Sequence, residues 1–138
     1  MEIPPEFYEY VVSEENYPHG TVLIREGDSG DWMYVILEGR AKVKKKSSKG
    51  SVTIDTLKEG AIFGEMVLLQ QQGDATRFST IVADGPVVVG GLDTQRLIRD
   101  WNSQTPLLKT LIGSLIRRRQ EAAIKLIGMV IEAKTPPL

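Results

Sequence analysis

Hydrophobic and polar positions alternate in short runs over residues 21–92, and the period lengthens after that. TVLI (21–24) is followed by a turn-rich acidic stretch, REGDSGD. WMYVIL (32–37) is aromatic and β-branched, and Glu38-Gly39 breaks it. RAKVKKK (40–46) resumes the alternation, SSKGS makes a polar hairpin turn, and VTIDTL (52–57) alternates again. STIVAD (79–84) and VVV (87–89) flank Gly85-Pro86. Strand-like runs with turn signals roughly every 8 to 12 residues predict a β-sandwich or small barrel. Residues 62–72 interrupt the pattern and predict one or two helical turns.

Beyond Leu92 the spacing is helical. Asp93 is placed to cap a helix running from Gln95 to Trp101, and Thr105 to cap a second that starts at Pro106. Along the second, Leu108, Ile112, Leu115, Ala122, Leu126, Met129 and Ala133 follow steps of four and three, with Arg119 as the polar occupant of the seam. Two readings are open: a helix lying on its own barrel, or a coiled coil that makes a homodimer. The tail KTPPL is expected to fray.

Composition narrows the function classes more than it names one. The 138 residues suffice for one domain with a real core, and the expectation is a single domain over 1–138. A net charge of −1 gives no argument for nucleic acid or an anionic membrane. Cysteine is absent, which excludes disulfide and thiol chemistry. The acidic N-terminal stretch lacks the basic start and apolar run of a signal peptide. No run of about 18 apolar residues predicts a membrane span. A cytoplasmic location follows as the expectation.

Catalytic and metal chemistry find little support. His19 is the single histidine, beside Pro18 and Gly20, and reads as a turn residue rather than a ligand. No GxSxG or GxxxxGK[ST] motif occurs. Glu26, Asp28 and Asp31 read as a solvated acidic loop, and Lys44, Lys45 and Lys46 as decoration of an exposed strand end. Arg117, Arg118 and Arg119 are basic and helical, but no second helix arrives to form a helix-turn-helix, so no DNA-binding domain is read in this chain. No catalytic set, metal site or cofactor is assigned, and the chain is not read as an enzyme.

One constellation remains, in IFGEMVLLQQQGDATRFST. Gly64-Glu65 precedes an apolar turn, Met66 to Leu69. If that turn is helical, its first N–H groups favour an anion. Arg77 lies 77 − 65 = 12 residues after Glu65. Its guanidinium suits a phosphate, whereas the Glu65 carboxylate only accepts hydrogen bonds and suits a sugar hydroxyl. Gly64 lets a ligand approach the backbone closely. One arginine and a helix end balance a phosphodiester better than a triphosphate. The other reading of the segment is a surface Glu–Arg pair across a hairpin.

With these residues the chain resembles the cyclic nucleotide-binding domains of the bacterial catabolite activator protein, protein kinase A regulatory subunits and cyclic nucleotide-gated channels. The resemblance runs over about residues 17–130, on three ordered blocks: YPHGTVLIREGDSGDWMYVILEGRAKV, LKEGAIFGEMVLL and RFSTIVA. It implies a mainly β fold with flanking helices, an eight-stranded antiparallel β-roll (a jelly-roll-like double-stranded β-helix) over about 17–92 and two C-terminal helices over about 93–133. It also implies a regulatory module whose ligand is cAMP or cGMP; the alternative is an interaction or dimerisation module that keeps the fold but has an altered pocket and binds no cyclic nucleotide. By resemblance, Glu65 binds the ribose 2′-hydroxyl with Gly64 beside it. Met66 and Val67 offer backbone to the phosphate, Arg77 pairs with the phosphate, and Phe78 and Ser79 follow it in the pocket. The sequence departs from the family pattern in four places. The Glu65–Arg77 spacing is long, Val67 and Phe78 stand where small residues are usual, and Gly90-Gly91 replaces large apolar ones. The threonine that cGMP-selective members often carry after the arginine is Phe78 here, which favours cAMP.

Overall fold

The computed structural model describes residues 5–69 and 76–134; the expected helical extension to Gln72 and the tail at 135–138 lie outside them. Among the described residues there are eight strands: β1 (Val11–Tyr17), β2 (Val22–Ile24), β3 (Tyr34–Glu38), β4 (Ala41–Ser47), β5 (Gly50–Leu57), β6 (Ile62–Phe63), β7 (Thr80–Ala83) and β8 (Val87–Leu92). They form two antiparallel four-stranded sheets, ordered β1-β8-β3-β6 and β2-β7-β4-β5. This is the eight-stranded roll that the resemblance implied. Its α-helices among the described residues are α1 (Thr94–Asn102) and α2 (Pro106–Lys134), and a 3-10 helix, Pro5–Tyr10, precedes β1.

The roll begins earlier than the sequence suggested. β1 is VVSEENY, and its middle is exposed and acidic, so no inward-facing stripe announces it. It is an edge strand held by backbone pairing to β8, from Val11–Leu92 to Tyr17–Val87. Pairing of that kind leaves little trace in side-chain pattern. The glycines at 90 and 91 are accounted for by what lies opposite them. A Cβ on Gly90 would stand 3.1–3.2 Å from side-chain atoms of Val35, Leu37 and Val11, and one on Gly91 would stand 2.5 Å from Ser13 Oγ.

Between the sheets lies a core that includes Ile36, Val43, Leu57, Phe63, Ile81 and Val89. Val35, next to Ile36, is also fully buried, so both faces of β3 are covered. On its outer side Val35 joins Met33, Val67 and Leu92, with Leu97 of α1 packed against them. α1 starts where expected: the Asp93 carboxylate accepts the Arg96 N–H at 3.1 Å. Thr105 Oγ1 likewise accepts the Leu108 N–H at 3.3 Å at the start of α2. His19 is a turn residue, its Nδ1 accepting the Gly85 N–H at 2.8 Å.

α2 lies against the roll. Gly113 and Ile127 are buried, and Arg119 Nη2 reaches Asp55 Oδ2 of β5 at 2.7 Å. The expected seam is therefore divided. Ile112 is half-buried, Ala122 and Leu126 sit at the rim of a cavity, and Leu108, Leu115 and Met129 face outward. Arg119 is engaged with Asp55, not set to meet its own copy.

Candidate ligand-binding site

The cavity, about 290 Å³, lies between the roll and α2. Ile24, Val43, Ile54, Leu57, Phe63 and Ile81 supply an apolar floor from both sheets. Gly64, Glu65 and Met66 line one side, and Arg77, Phe78 and Ser79 are also in its wall. Six of the seven residues expected at the site thus meet around one space, although they come from segments on either side of residues 70–75.

Arg77 is held from several directions. Its backbone N–H donates to the Asp28 carbonyl at 2.8 Å, and its carbonyl accepts the Gly27 N–H at 3.0 Å. Thr76 bridges to Ser29 in the same way. The guanidinium lies across the faces of two glycines. A Cβ on Gly30 would be 2.6 Å from Nη2, and one on Gly64 would be 3.0 Å from Nη1. Nη2 also donates to the Trp32 carbonyl at 2.9 Å. Gly64 has φ of 86°, a left-handed conformation that glycine adopts without steric cost, and it turns β6 into the next segment. Burial lowers the Arg77 pKa from its usual value, opposed by the nearby Tyr34, Asp31 and Glu65. The group remains a cation at neutral pH. Burial raises the Tyr34 phenol, which Arg77 partly offsets and Glu15 and Asp31 reinforce.

The expected helical turn is a short 3-10 helix, Glu65–Leu68. Glu65 and Met66 line the cavity, but Val67 turns the other way. It is buried against Met33, Val35 and Leu92, so its branched side chain adds no bulk to the pocket. The Val67 N–H donates to the Gly64 carbonyl at 3.3 Å, within the turn. Among the described residues Glu65 and Arg77 form no ion pair with each other. A hairpin-spanning surface pair is thus not what this segment makes: both charged groups are left facing a common space.

Phe78 is fixed from outside. Lys45 Nζ donates to the Phe78 carbonyl at 2.6 Å, lies 4.0 Å from the centroid of its ring, and pairs with Glu26 Oε2 at 3.3 Å. Glu26 Oε1 accepts the Lys46 N–H at 3.0 Å. Lys45 and Glu26 are therefore not the solvated decoration and acidic loop that the sequence suggested; their side chains are only 19% and 15% exposed.

Sequence reasoning missed the roof. Ile116, Arg119, Gln120, Ala123 and Leu126 of α2 complete the cavity, facing Asp55 of β5. A signal was available: Ile112, Ile116, Ala123 and Ile127 form a second stripe at steps of four, seven and four. α2 carries two apolar stripes, and spacing alone does not say which meets the roll.

A family model described as the cyclic nucleotide-binding domain matches residues 14–99. A cAMP-dependent protein kinase regulatory subunit from Mycosarcoma maydis is 33% identical over 108 residues, 76% of this chain and 19% of that protein. A cGMP-dependent protein kinase from Caenorhabditis briggsae is 33% identical over 122 residues, 78% of this chain and 15% of that one. The chain spans about a fifth of the length of the curated relatives it matches. Among solved structures, the cAMP-bound form of the EAL enzyme Bd1971 superposes with a TM-score of 0.71 at 25% identity, covering 87% of this chain and 30% of that one. No helix among the described residues is long and apolar enough to cross a membrane.

Proposed function

The chain belongs to the cyclic nucleotide-binding domain family, and from that membership we propose that it is a sensor module binding a purine 3′,5′-cyclic monophosphate, cAMP in preference to cGMP. The observation that carries the reading is the pair of opposite charges, Glu65 and Arg77, lining one cavity without neutralising each other. A cyclic nucleotide supplies a partner for each. Arg77 takes the phosphate with charge-assisted donors, and Glu65 accepts from the ribose hydroxyl. The base then lies over the apolar floor and under α2. Relatives named for cAMP and for cGMP support the ligand class, and Phe78, which offers no hydroxyl, supports cAMP.

Signal transfer follows from what the 3-10 helix touches. It packs on α1, and the next residue, Leu69, comes close to α2: its Cδ2 is 3.6 Å from where a Cβ on Gly113 would stand. A ligand that prefers one arrangement of Glu65–Leu68 shifts both helices, provided its affinity for the two arrangements differs. Calorimetry with cAMP and cGMP tests the reading. Saturable heat with both, tighter for cAMP, is expected; no heat and no thermal stabilisation with either nucleotide overturns it.

A homodimer through α2 is a second element of the proposal. It is supported by the outward strip Leu107, Leu111, Leu115 and Met129, each more than half exposed. Sedimentation should show a concentration-dependent dimer that Leu115→Glu dissociates. A monomer at every concentration would remove it.

A further inference from the structure

We propose that a second cavity, a solvent-open cleft lined by Ser13, Glu15, Tyr17, Tyr34 and Phe63, is a binding site for a small organic ammonium ion. It measures about 220 Å³ and is lined from β1, β8, β3 and β6, with Leu23 of β2 also in its wall. The cyclic-nucleotide cavity is a separate space, and Phe63 is the one residue that lines both.

The two cavities have opposite chemistry. Arg77 lines only the first; its charge reaches the Tyr34 phenol, where Glu15 and Asp31 oppose it, and the ionisable groups in the wall of the second are the Glu15 carboxylate and the phenols of Tyr17 and Tyr34. The Tyr17 hydroxyl donates to Glu15 Oε2, and Oε1 carries no hydrogen bond among the described residues. A carboxylate with a free oxygen attracts an ammonium N–H donor and repels a phosphate. The other wall is aromatic: Tyr34 and Phe63 are stacked, with ring centroids 5.3 Å apart, and Tyr17 is the third ring. The π-electrons of aromatic rings attract cations, and aromatic cages bind organic ammonium groups. A single inorganic cation gains less here, because it leaves the aromatic area wet.

Size fits the same class. A cavity of about 150 Å³ takes a benzene ring, so the larger space here accommodates a ring bearing a one-carbon ammonium arm. Gly91 keeps the floor open, since a side chain there would run into Ser13 Oγ. Tyr17 stays protonated well beyond neutral pH, its phenol pushed up to about 12 chiefly by the hydrogen bond to Glu15. Phenol and carboxylate therefore do not compete as two anions.

The test uses benzylammonium, with benzyl alcohol as the neutral probe of similar shape and benzoate as the anionic one. Binding is followed by amide NMR shifts on the whole chain. Saturable shifts centred on residues 13–17, 34 and 91 are expected for benzylammonium. Its affinity should exceed that of benzyl alcohol about tenfold, roughly the 1.4 kcal/mol of one decade, and benzoate should not bind there. Glu15→Gln, an exposed change on an edge strand that keeps an acceptor for Tyr17, should remove the preference for the ammonium. Equal affinity for the ammonium and the alcohol in the unaltered chain overturns the proposal without any variant having to fold. So does a preference that survives in Glu15→Gln, or shifts confined to the cavity around Arg77.

Discussion

The two walls of the main cavity are held by different kinds of force. On the roll side, Arg77 is pinned by backbone hydrogen bonds to Gly27 and Asp28, by the Trp32 carbonyl, and by the flat faces of Gly30 and Gly64. On the helix side, α2 is joined to β5 through apolar contacts and one ion pair, Arg119–Asp55, whose side chains are 62% and 44% exposed. An exposed pair of that kind is worth about 0–1 kcal/mol. In the proposed binding mode a ligand's charged end would meet a preorganised wall, and its base one that repositions at small cost. Preorganisation saves the ordering that binding otherwise requires, so substitutions on the roll wall should act mainly on affinity and those on the helix wall only weakly.

The largest expected effect is at Arg77. Arg77→Ala should weaken cyclic-nucleotide binding by about 2 to 5 kcal/mol, the scale of a lost buried charged contact, with a much smaller change in melting temperature. Calorimetry beside thermal melts reads both, and unchanged affinity would dissolve the contrast between the walls.

Gly30→Ala tests the same wall. Its Cβ would occupy space 2.6 Å from Arg77 Nη2, so the guanidinium has to move. Overpacking of this sort costs about 1 to 3 kcal/mol, expected mostly in affinity because the displaced atom is the end of a side chain. A variant that binds normally but melts early would show that Gly30 serves the loop and not the arginine.

Glu65→Gln keeps the shape and removes the charge. The loss should be about 1.5 to 3 kcal/mol if a hydroxyl donates to the carboxylate. The 2′-deoxy nucleotide should lose affinity for the unaltered protein and be nearly indifferent to the substitution. Fully additive losses would mean that carboxylate and hydroxyl do not touch.

The smallest effect is expected across the roof. Arg119→Ala and Asp55→Ala should each change stability by less than about 1 kcal/mol and should fade in high salt. Their double variant should be no worse than either single one. A large or salt-independent loss in denaturant melts would show that α2 is fixed as firmly as the roll.

Much of the roof's ambiguity was already in the chain. α2 carries Leu108, Leu115 and Met129 along one side and Ile112, Ile116 and Ile127 along another. A helix with two apolar stripes is satisfied by either packing, and only the shape of the roll selects between them. β1 was hidden for a different reason. Its acidic middle faces solvent, and it is held by backbone hydrogen bonds to β8 that any sequence short of proline can make. Lys45 was misread because a lysine on an alternating strand reads as solvated until a Glu26 and a Phe78 carbonyl from distant segments are brought beside it. Val67 was assigned to the right turn, but the direction of its side chain depends on how that turn is wound.

By itself the sequence determined the strand-and-turn rhythm of the roll, the two capped helices after it, and the Gly64-Glu65 and Arg77 pair that marks the candidate site. Each of these is written locally, in alternation, capping side chains or the chemistry of a single residue. The tertiary structure alone decided which stripe of α2 roofs the cavity, that Val67 leaves the pocket, that Arg119 binds Asp55, and that Glu15, Tyr17 and Tyr34 line a second space. Those outcomes depend on surfaces brought together from distant parts of the chain, where packing and desolvation, not local propensity, set the energy.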